Sequence, residues 1–244
     1  LIEFMTEGML LMEMKNDPLL SRTSMIILDE VHERTVNLDL LMGLLTNLVK
    51  SKSRPELKCI FMSATLDEDK FKTYFDELEL GTQYLLVQGR AYPVEVFYSP
   101  EPVYYYIEEA VNIILHLHTV LSASNNEGIL VFLAGKKDIN DACKLLKDIC
   151  QNNTIDDLVA YPFYSSLSKP EQDKVTKVQD GETRRRVIIS TNYAEASVTI
   201  NGIVWVIDSG IMKKSDYDPK LRLSSLLPGV IDKAAADQRK GRAG

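Results

Sequence analysis

Ten consecutive residues hold the densest set of side chains able to do chemistry: Met25-Ile26-Ile27-Leu28-Asp29-Glu30-Val31-His32-Glu33-Arg34. The four apolar residues, two of them β-branched, read as a short buried strand, too brief for a helix. That strand ends on two adjacent carboxylates, Asp29 and Glu30, with His32 two residues further on. In a parallel α/β sheet, ligands gather at the carboxyl ends of strands. One carboxylate to hold Mg²⁺ and one to polarise a water is what phosphoryl transfer from a nucleotide requires. The same pair could equally do no more than cap the next helix. A zinc site is excluded on spacing, because Val36 stands where H-E-x-x-H has its second histidine.

The elements that must position these residues follow from periodicity. Thr6 is placed to cap a helix running through Met14, which Asp17-Pro18 ends. After the strand at 25–30, Leu38, Leu41, Leu44, Leu45 and Leu48 recur at three-and-four spacing, predicting an amphipathic helix to about Lys50. Leu57 to Met62 is the next strand, ending in Ser63-Ala64-Thr65; a helix over 67–78 and a fourth apolar run, Tyr84–Val87, follow. Gly89-Arg90-Ala91-Tyr92-Pro93 reads as a linker. Beyond it the alternation resumes: helix 103–120, strand 129–133, helix 138–150, strand 158–161, helix 169–178, and strands 187–191 and 203–208. Helix 138–150 carries a stripe of Ile139, Cys143, Leu146 and Ile149. Alternating β and α segments argue for mostly parallel sheets. Met212–Leu227 breaks the pattern and predicts a protruding hairpin that turns near Asp218-Pro219. A last helix carries Ala234 to Arg242.

Composition bounds the function classes. The 244 residues carry a formal net charge of −7, which argues against indiscriminate nucleic-acid binding. The average hides an asymmetry: Gly181–Gly244 holds 11 Lys and Arg against 7 Asp and Glu, leaving 17 against 28 elsewhere. A locally basic C-terminal part can still meet phosphates. No apolar run approaches the roughly 20 residues of a membrane span, and the acidic first residues do not read as a signal peptide. Cys59, Cys143 and Cys150 form neither a paired framework nor a C-x-x-C site, as expected of reduced residues inside a cell.

Six short stretches then line up in order: Thr6-Glu7-Gly8-Met9-Leu10, Asp29-Glu30-Val31-His32-Glu33-Arg34, Ser63-Ala64-Thr65, Phe132-Leu133-Ala134-Gly135, Ser190-Thr191-Asn192-Tyr193-Ala194-Glu195 and Gln238-Arg239-Lys240-Gly241-Arg242-Ala243-Gly244. The series resembles the DEAH-box RNA helicases of superfamily 2, close to the splicing and ribosome-biogenesis members. The resemblance implies two RecA-like parallel-sheet domains, residues 1–91 and 92–244, with the hairpin inserted in the second.

What the resemblance implies can be placed residue by residue. Asp29 and Glu30 match the pair that holds the Mg²⁺ shell and activates the attacking water, with Val31 replacing the usual alanine. His32 matches the residue that couples nucleotide state to the second domain; its alternative is a satisfied core histidine. Ser63 and Thr65 match the motif linking hydrolysis to strand separation, unless they are plain helix caps. Gln238 and Arg242 match residues that reach the γ-phosphate of ATP, Arg242 as an arginine finger, with Arg239 as structural support. Thr6, Gly135, Thr191 and Asn192 sit in motifs used on the RNA backbone. The hairpin, with Lys213, Lys214, Lys220 and Arg222, matches the strand-separating element, although those cations could equally guard a solvated edge. Thr176 stands where many members stack an aromatic on adenine, and Asn201 where a relative has aspartate. The family further implies 3′-to-5′ movement on RNA, an activating protein partner of the glycine-patch type, and a nuclear location.

One departure is large. No G-x-x-x-x-G-K-[ST] occurs; Gly135-Lys136 is followed by Lys137 rather than a hydroxyl. Without that loop the β- and γ-phosphates have no cradle. The expectation is therefore an internal piece of a longer helicase, starting after the phosphate loop and stopping within the last motif, and inactive alone. The rival expectation, from another class, is a non-catalytic module that binds RNA or a protein partner.

Overall fold

The computed structural model of the protein describes residues 1–63, 68–87, 92–121, 127–177, 183–195, 198–220 and 222–243. The chain divides into two compact units, Leu1–Gln88 and Gly89–Gly244. Thr65, Gly244 and the 89–91 part of the expected linker lie outside the described residues.

The first unit runs α1 (Glu7–Asn16), β1 (Met25–Leu28), α2 (Val36–Lys50), β2 (Lys58–Phe61) and α3 (Glu68–Glu77). Helix α1 begins where Thr6 Oγ1 accepts from Met9 N, and ends at Asp17. Strands β1 and β2 pair in parallel, Met25 opposite Lys58 and Leu28 opposite Phe61. The core is built from Leu20, Ile26, Leu28, Val31, Leu41, Leu45 and Phe75. Helix α2 buries Leu38, Leu41, Met42, Leu45 and Leu48, whereas Leu44, expected on the stripe, is exposed. Leu44 falls on the flank with Leu40, four residues back, and Met42 takes the inner position.

Two expectations are corrected in this unit. Strand β1 is buried on one face only: Ile26 and Leu28 point inward while Met25 and Ile27 stay exposed. Its four-residue apolar run therefore hides the two-residue alternation of a sheet covered on one side. Tyr84–Val87 forms no strand, and Leu85, Leu86 and Val87 are largely exposed. Among the described residues the unit's sheet consists of the β1–β2 pair, and this run hydrogen-bonds to neither strand.

The second unit contains α4 (Tyr106–Val120), β3 (Gly128–Phe132), α5 (Lys136–Asn152), β4 (Leu158–Phe163), α6 (Lys169–Thr176), β5 (Arg185–Ser190), β6 (Ile203–Asp208), a hairpin of β7 (Ile211–Asp218) and β8 (Leu223–Val230), and α7 (Lys233–Lys240). Its sheet is parallel, in the order β4-β5-β3-β6. The middle strands β3 and β5 are buried along their whole length, as expected where both faces are covered. One face sets Ile129, Val131, Val187 and Ile189 against Val111 and Ile114 of α4 and Ile139, Ala142 and Leu146 of α5. The other sets Leu130, Phe132 and Ile188 against Phe163, Val175 and Ala194. Cys143 packs at the rim of the first cluster. The hairpin strands pair antiparallel, Lys213 opposite Pro228 and Asp218 opposite Leu223, so the chain reverses beyond Asp218.

Candidate functional site

In the first unit the site grows from the end of β1. Beyond Leu28 the ladder continues as Met62 N donates to Leu28 O at 2.8 Å and Val31 N to Met62 O at 3.0 Å. That pairing carries Ser63, just after β2, to the side of residues 30–32. Glu30 and Arg34 both take left-handed backbone conformations, φ 54° and 49°, around a short 3₁₀ turn over Val31–Glu33. Such a conformation costs a non-glycine residue of order 1–3 kcal/mol and persists only where the surroundings impose it. Buried Val31 supplies the anchor. Arg34 braces the other end through a two-pronged bond to Asp39, 2.6 and 2.9 Å.

The turn brings three expected residues together. His32 Nδ1 shares a hydrogen bond with Ser63 Oγ at 3.1 Å and lies 3.4 Å from Glu30 Oε2. The second contact is not aligned as a hydrogen bond, and Glu30 Oε2 is buried with no hydrogen-bond partner among the described residues. Asp29 is exposed, and one of its oxygens accepts from Glu30 N at 2.9 Å. Thr6 stands at the start of α1, and its neighbour Glu7 accepts from the Thr35 hydroxyl at 2.7 Å; Thr35 in turn caps α2. The segment carrying Thr6 is thus tied to the loop that leaves His32.

Among the described residues no three His, Cys, Asp or Glu side chains cluster to hold a metal by themselves. Mg²⁺ asks for less: one or two carboxylates, with water and substrate phosphates completing its shell. Exposed Asp29 and the unsatisfied Glu30 Oε2 fit that share.

In the second unit the expected residues collect at the carboxyl ends of neighbouring strands. Gly135 follows β3 and begins α5; Thr191 and Asn192 follow β5, where Thr191 Oγ1 accepts from Tyr193 N; Asp208 ends β6. Gly135 has an ordinary extended backbone, so its lack of a side chain concerns space. A Cβ there would meet Lys213 Cε at 2.9 Å and Nζ at 3.0 Å, so the Lys213 side chain of the hairpin lies directly over this glycine. Lys214 and Arg222 are exposed on the hairpin, as is Lys220 in its turn. The hairpin also exposes Tyr217, Leu223, Leu226 and Leu227, an apolar content that its four cations hide in the sequence.

Helix α7 carries Gln238 and Arg239, and Arg242 follows it. Arg239 is fully buried: Nε donates to Glu195 Oε2 at 2.9 Å, Nη1 to Asp208 Oδ1 at 2.7 Å, and the guanidinium lies 4.8 Å from the Phe132 ring centre. Arg242 is half-buried, with Nε and Nη2 donating to Glu195 O and Nη1 to Val198 O at 3.1 Å. Burial pushes the Glu195 carboxyl above its ordinary value, against the pull of Arg239. Glu195 and Asp208 had no role assigned from sequence. The usable signal was a carboxylate at each of two strand ends facing an arginine-rich last helix.

Thr176 ends α6 with its hydroxyl donating to Gln172 O at 3.1 Å, and Asn201 N donates to Thr176 O at 3.4 Å. Arg186, whose guanidinium donates to Val175 O and Asn201 O, knits the two positions together. Thr176 and Asn201 therefore occupy one place.

Residues 109–244 match the family of the helicase conserved C-terminal domain. The chain is 43% identical, over its whole length, to the pre-mRNA-splicing factor ATP-dependent RNA helicase prp22 of Schizosaccharomyces pombe, and spans 20% of that protein. Among solved structures it is similar to the DExH-box NTPase HrpB of E. coli, with a TM-score of 0.79 and 32% identity over 97% of this chain and 28% of that one. A second HrpB structure, described as a DEAH/RHA helicase, gives 0.80 and 32% over 98% and 29%.

Proposed function

Because the chain belongs to the helicases, whose conserved C-terminal domain it carries, we propose that it is part of an ATP-dependent RNA helicase that couples nucleotide hydrolysis to 3′-to-5′ movement on RNA. The chain spans about a fifth of the curated relative it matches, and no phosphate loop occurs among its residues. The activity proposed is therefore that of the whole protein. The pathway that fits the similarity to a splicing factor is pre-mRNA splicing, with ribosome biogenesis as the second member of the same expectation and the nucleus as the place. An activating partner of the glycine-patch type belongs to the same reading.

The observation that carries it is His32, whose Nδ1 is placed between the Ser63 hydroxyl and the Glu30 carboxylate. A core histidine satisfied by backbone would need neither neighbour. Glu30 accepts the proton of the attacking water through its unsatisfied oxygen, which is how a general base works when it lies within hydrogen-bond reach. Mg²⁺, held through water by Asp29 and Glu30, would offset charge on the phosphate oxygens. Gln238 orients at the γ-phosphate, and Arg242 adds positive charge that matters most in the transition state. His32 passes the state of Glu30 to Ser63 and, with Thr65, to the RNA-handling segments. Thr6, Gly135, Thr191 and Asn192 hold the RNA backbone, which gives affinity without sequence choice. A hydroxyl that accepts from its own turn, as Thr191 does, still has a proton to donate to a phosphate. Lys213, Lys214, Lys220 and Arg222 give the hairpin its charge toward RNA.

The test is Glu30→Gln in the whole protein. ATP turnover should fall by at least about 100-fold, the upper range of a lost general base being about 10⁴, while RNA binding changes less than about threefold. Turnover like that of the parent would refute the assignment.

A further inference from the structure

The nucleotide and RNA chemistry proposed for the whole protein leaves residues 92–109 of the second unit without a role. This stretch exposes large aromatic side chains: Phe97 and Tyr98 keep 75% and 87% of their surface, and Tyr104 and Tyr105 keep 84% and 76%. A bend at Pro100 and Glu101, closed by Ser99 Oγ donating to Glu101 O at 2.7 Å, separates the two pairs. The second pair is anchored by its neighbour: Tyr106, the first residue of α4, donates its hydroxyl to Asp138 Oδ2 of α5 at 2.7 Å. Among the described residues the four exposed rings make no ring–ring or cation–π contact. Glu95, Glu101, Glu108 and Glu109 lie in the same stretch, all exposed, and no Lys, Arg or His accompanies them. None of these four carboxylates is in an ion pair among the described residues. Single exposed apolar side chains are ordinary, but a concentration of them marks an interaction surface.

We propose that residues 92–109 bind an arginine-rich segment of a protein partner. Charge decides among the ligands that exposed rings can take. Single-stranded nucleic acid stacks its bases on such rings, but the proteins that hold it line its path with cations. Here four carboxylates would face its phosphates. A wholly apolar partner would strip water from those carboxylates and give them nothing in return. A cation suits both the rings and the acids. Arginine suits them better than lysine, because its planar, weakly hydrated guanidinium lies flat on an aromatic face and offers two parallel N–H groups to a carboxylate. Recognition must also rest on side chains. Pro93, Pro100 and Pro102 have no N–H, so the stretch cannot present the unbroken row of donors that an added β-strand needs.

The measurement is the affinity of the whole protein for a fluorescent peptide of alternating arginine and glycine, beside a peptide with lysine at every arginine position. The arginine peptide should bind more tightly. The double variant Tyr104→Ala, Tyr105→Ala removes one pair of rings. Tyr105 precedes α4 but makes no side-chain cap bond, so the fold should hold, as the fluorescence of Trp205 reports. Each exposed cation–π contact contributes a factor of about 2 to 5, so losing both rings should weaken the arginine peptide by about 5- to 30-fold. The double variant Glu108→Gln, Glu109→Gln should weaken it by about 2- to 30-fold, the range of two exposed ion pairs. Failure of the whole protein to bind the arginine peptide, or equal affinity for the two peptides, overturns the proposal. An arginine affinity in the tyrosine variant within about twofold of the parent, less than those contacts allow, overturns it too, since general attraction to an acidic chain then suffices. A loss of RNA affinity of the same size in that variant assigns the rings to RNA and likewise overturns it. Should the tyrosine variant not fold, the glutamate variant decides, and an unchanged arginine affinity there refutes the assignment. None of these results bears on the turnover of Glu30→Gln, so the helicase reading stands or falls separately.

Discussion

Replacing Arg239 by alanine tests how the second unit is held together. Its guanidinium has no exposed surface, while the Glu195 and Asp208 side chains keep 12% and 24%. Removing one partner of such a buried pair typically costs about 3–5 kcal/mol, because the other charges stay behind without compensation. Here two carboxylates remain. Against that, Nη2 of Arg239 has no hydrogen-bond partner among the described residues, so the arginine already carries one unsatisfied donor and the lower half of the range applies. For a body of this size each kcal/mol moves the melting midpoint by about 2–4 °C, so the expected loss is roughly 6–16 °C. The chain's single tryptophan, Trp205, lies in β6, next to the Asp208 end, and bonds to Glu127 at 3.1 Å. Its fluorescence therefore reports unfolding of the second unit alone. The loss should also depend on pH with a definite sign. Burial already raises the Glu195 carboxyl above 4.5, and Arg239 is what pulls it back, while Asp208 and Asp232 push it further up. Without Arg239 the folded state binds that proton more tightly than the unfolded chain does, so the variant's stability falls as pH rises through the window above 4.5. The deficit against the parent should be smaller at pH 5.5 than at pH 8. A midpoint within 2 °C of the parent at pH 8, or an equal deficit at both pH values, would refute the argument.

Two further outcomes follow from single side chains. Gly135→Ala should change the stability reported by Trp205 by less than about 1 kcal/mol, since the backbone there is ordinary and only the tip of Lys213 must move. If that ammonium meets an RNA phosphate, the slope of log affinity against log salt should become shallower by about 0.7, the value for one phosphate on a single strand; an unchanged slope would remove Lys213 from the contact. Burial pushes the Cys143 thiol from 9.0 to about 11, so alkylation at pH 8 should be slow in the folded protein and fast in denaturant. Stability should also fall with pH between those two values, where the unfolded thiol ionises and the folded one does not; rapid labelling of folded Cys143 at pH 8 would contradict this.

The elements were largely legible because their causes are local. Thr6 caps α1, Asp17 ends it, and the three-and-four spacing of leucines draws α2 to within two residues of its start. The buried strands of the second unit read correctly as unbroken apolar runs, since both faces of that sheet are covered. The same pattern misled at β1 and at Tyr84–Val87. A run of apolar residues does not reveal whether one face or two will be covered, nor whether any neighbouring strand will pair with it.

Residue types and order alone identified the catalytic candidates Asp29, Glu30 and His32, the γ-phosphate candidates Gln238 and Arg242, and the helicase family that the chain belongs to. Spacing could do that because each motif is a short stretch whose chemistry is written in adjacent positions. What only the tertiary structure decided is who touches whom across long separations. His32 meets Ser63 thirty-one residues away, Lys213 covers Gly135, and Glu195 takes two arginines more than forty residues further on. Those contacts depend on strand register and on which helix packs over which strand end. Register and packing arise from the simultaneous burial of many residues, and no single stretch of sequence contains them.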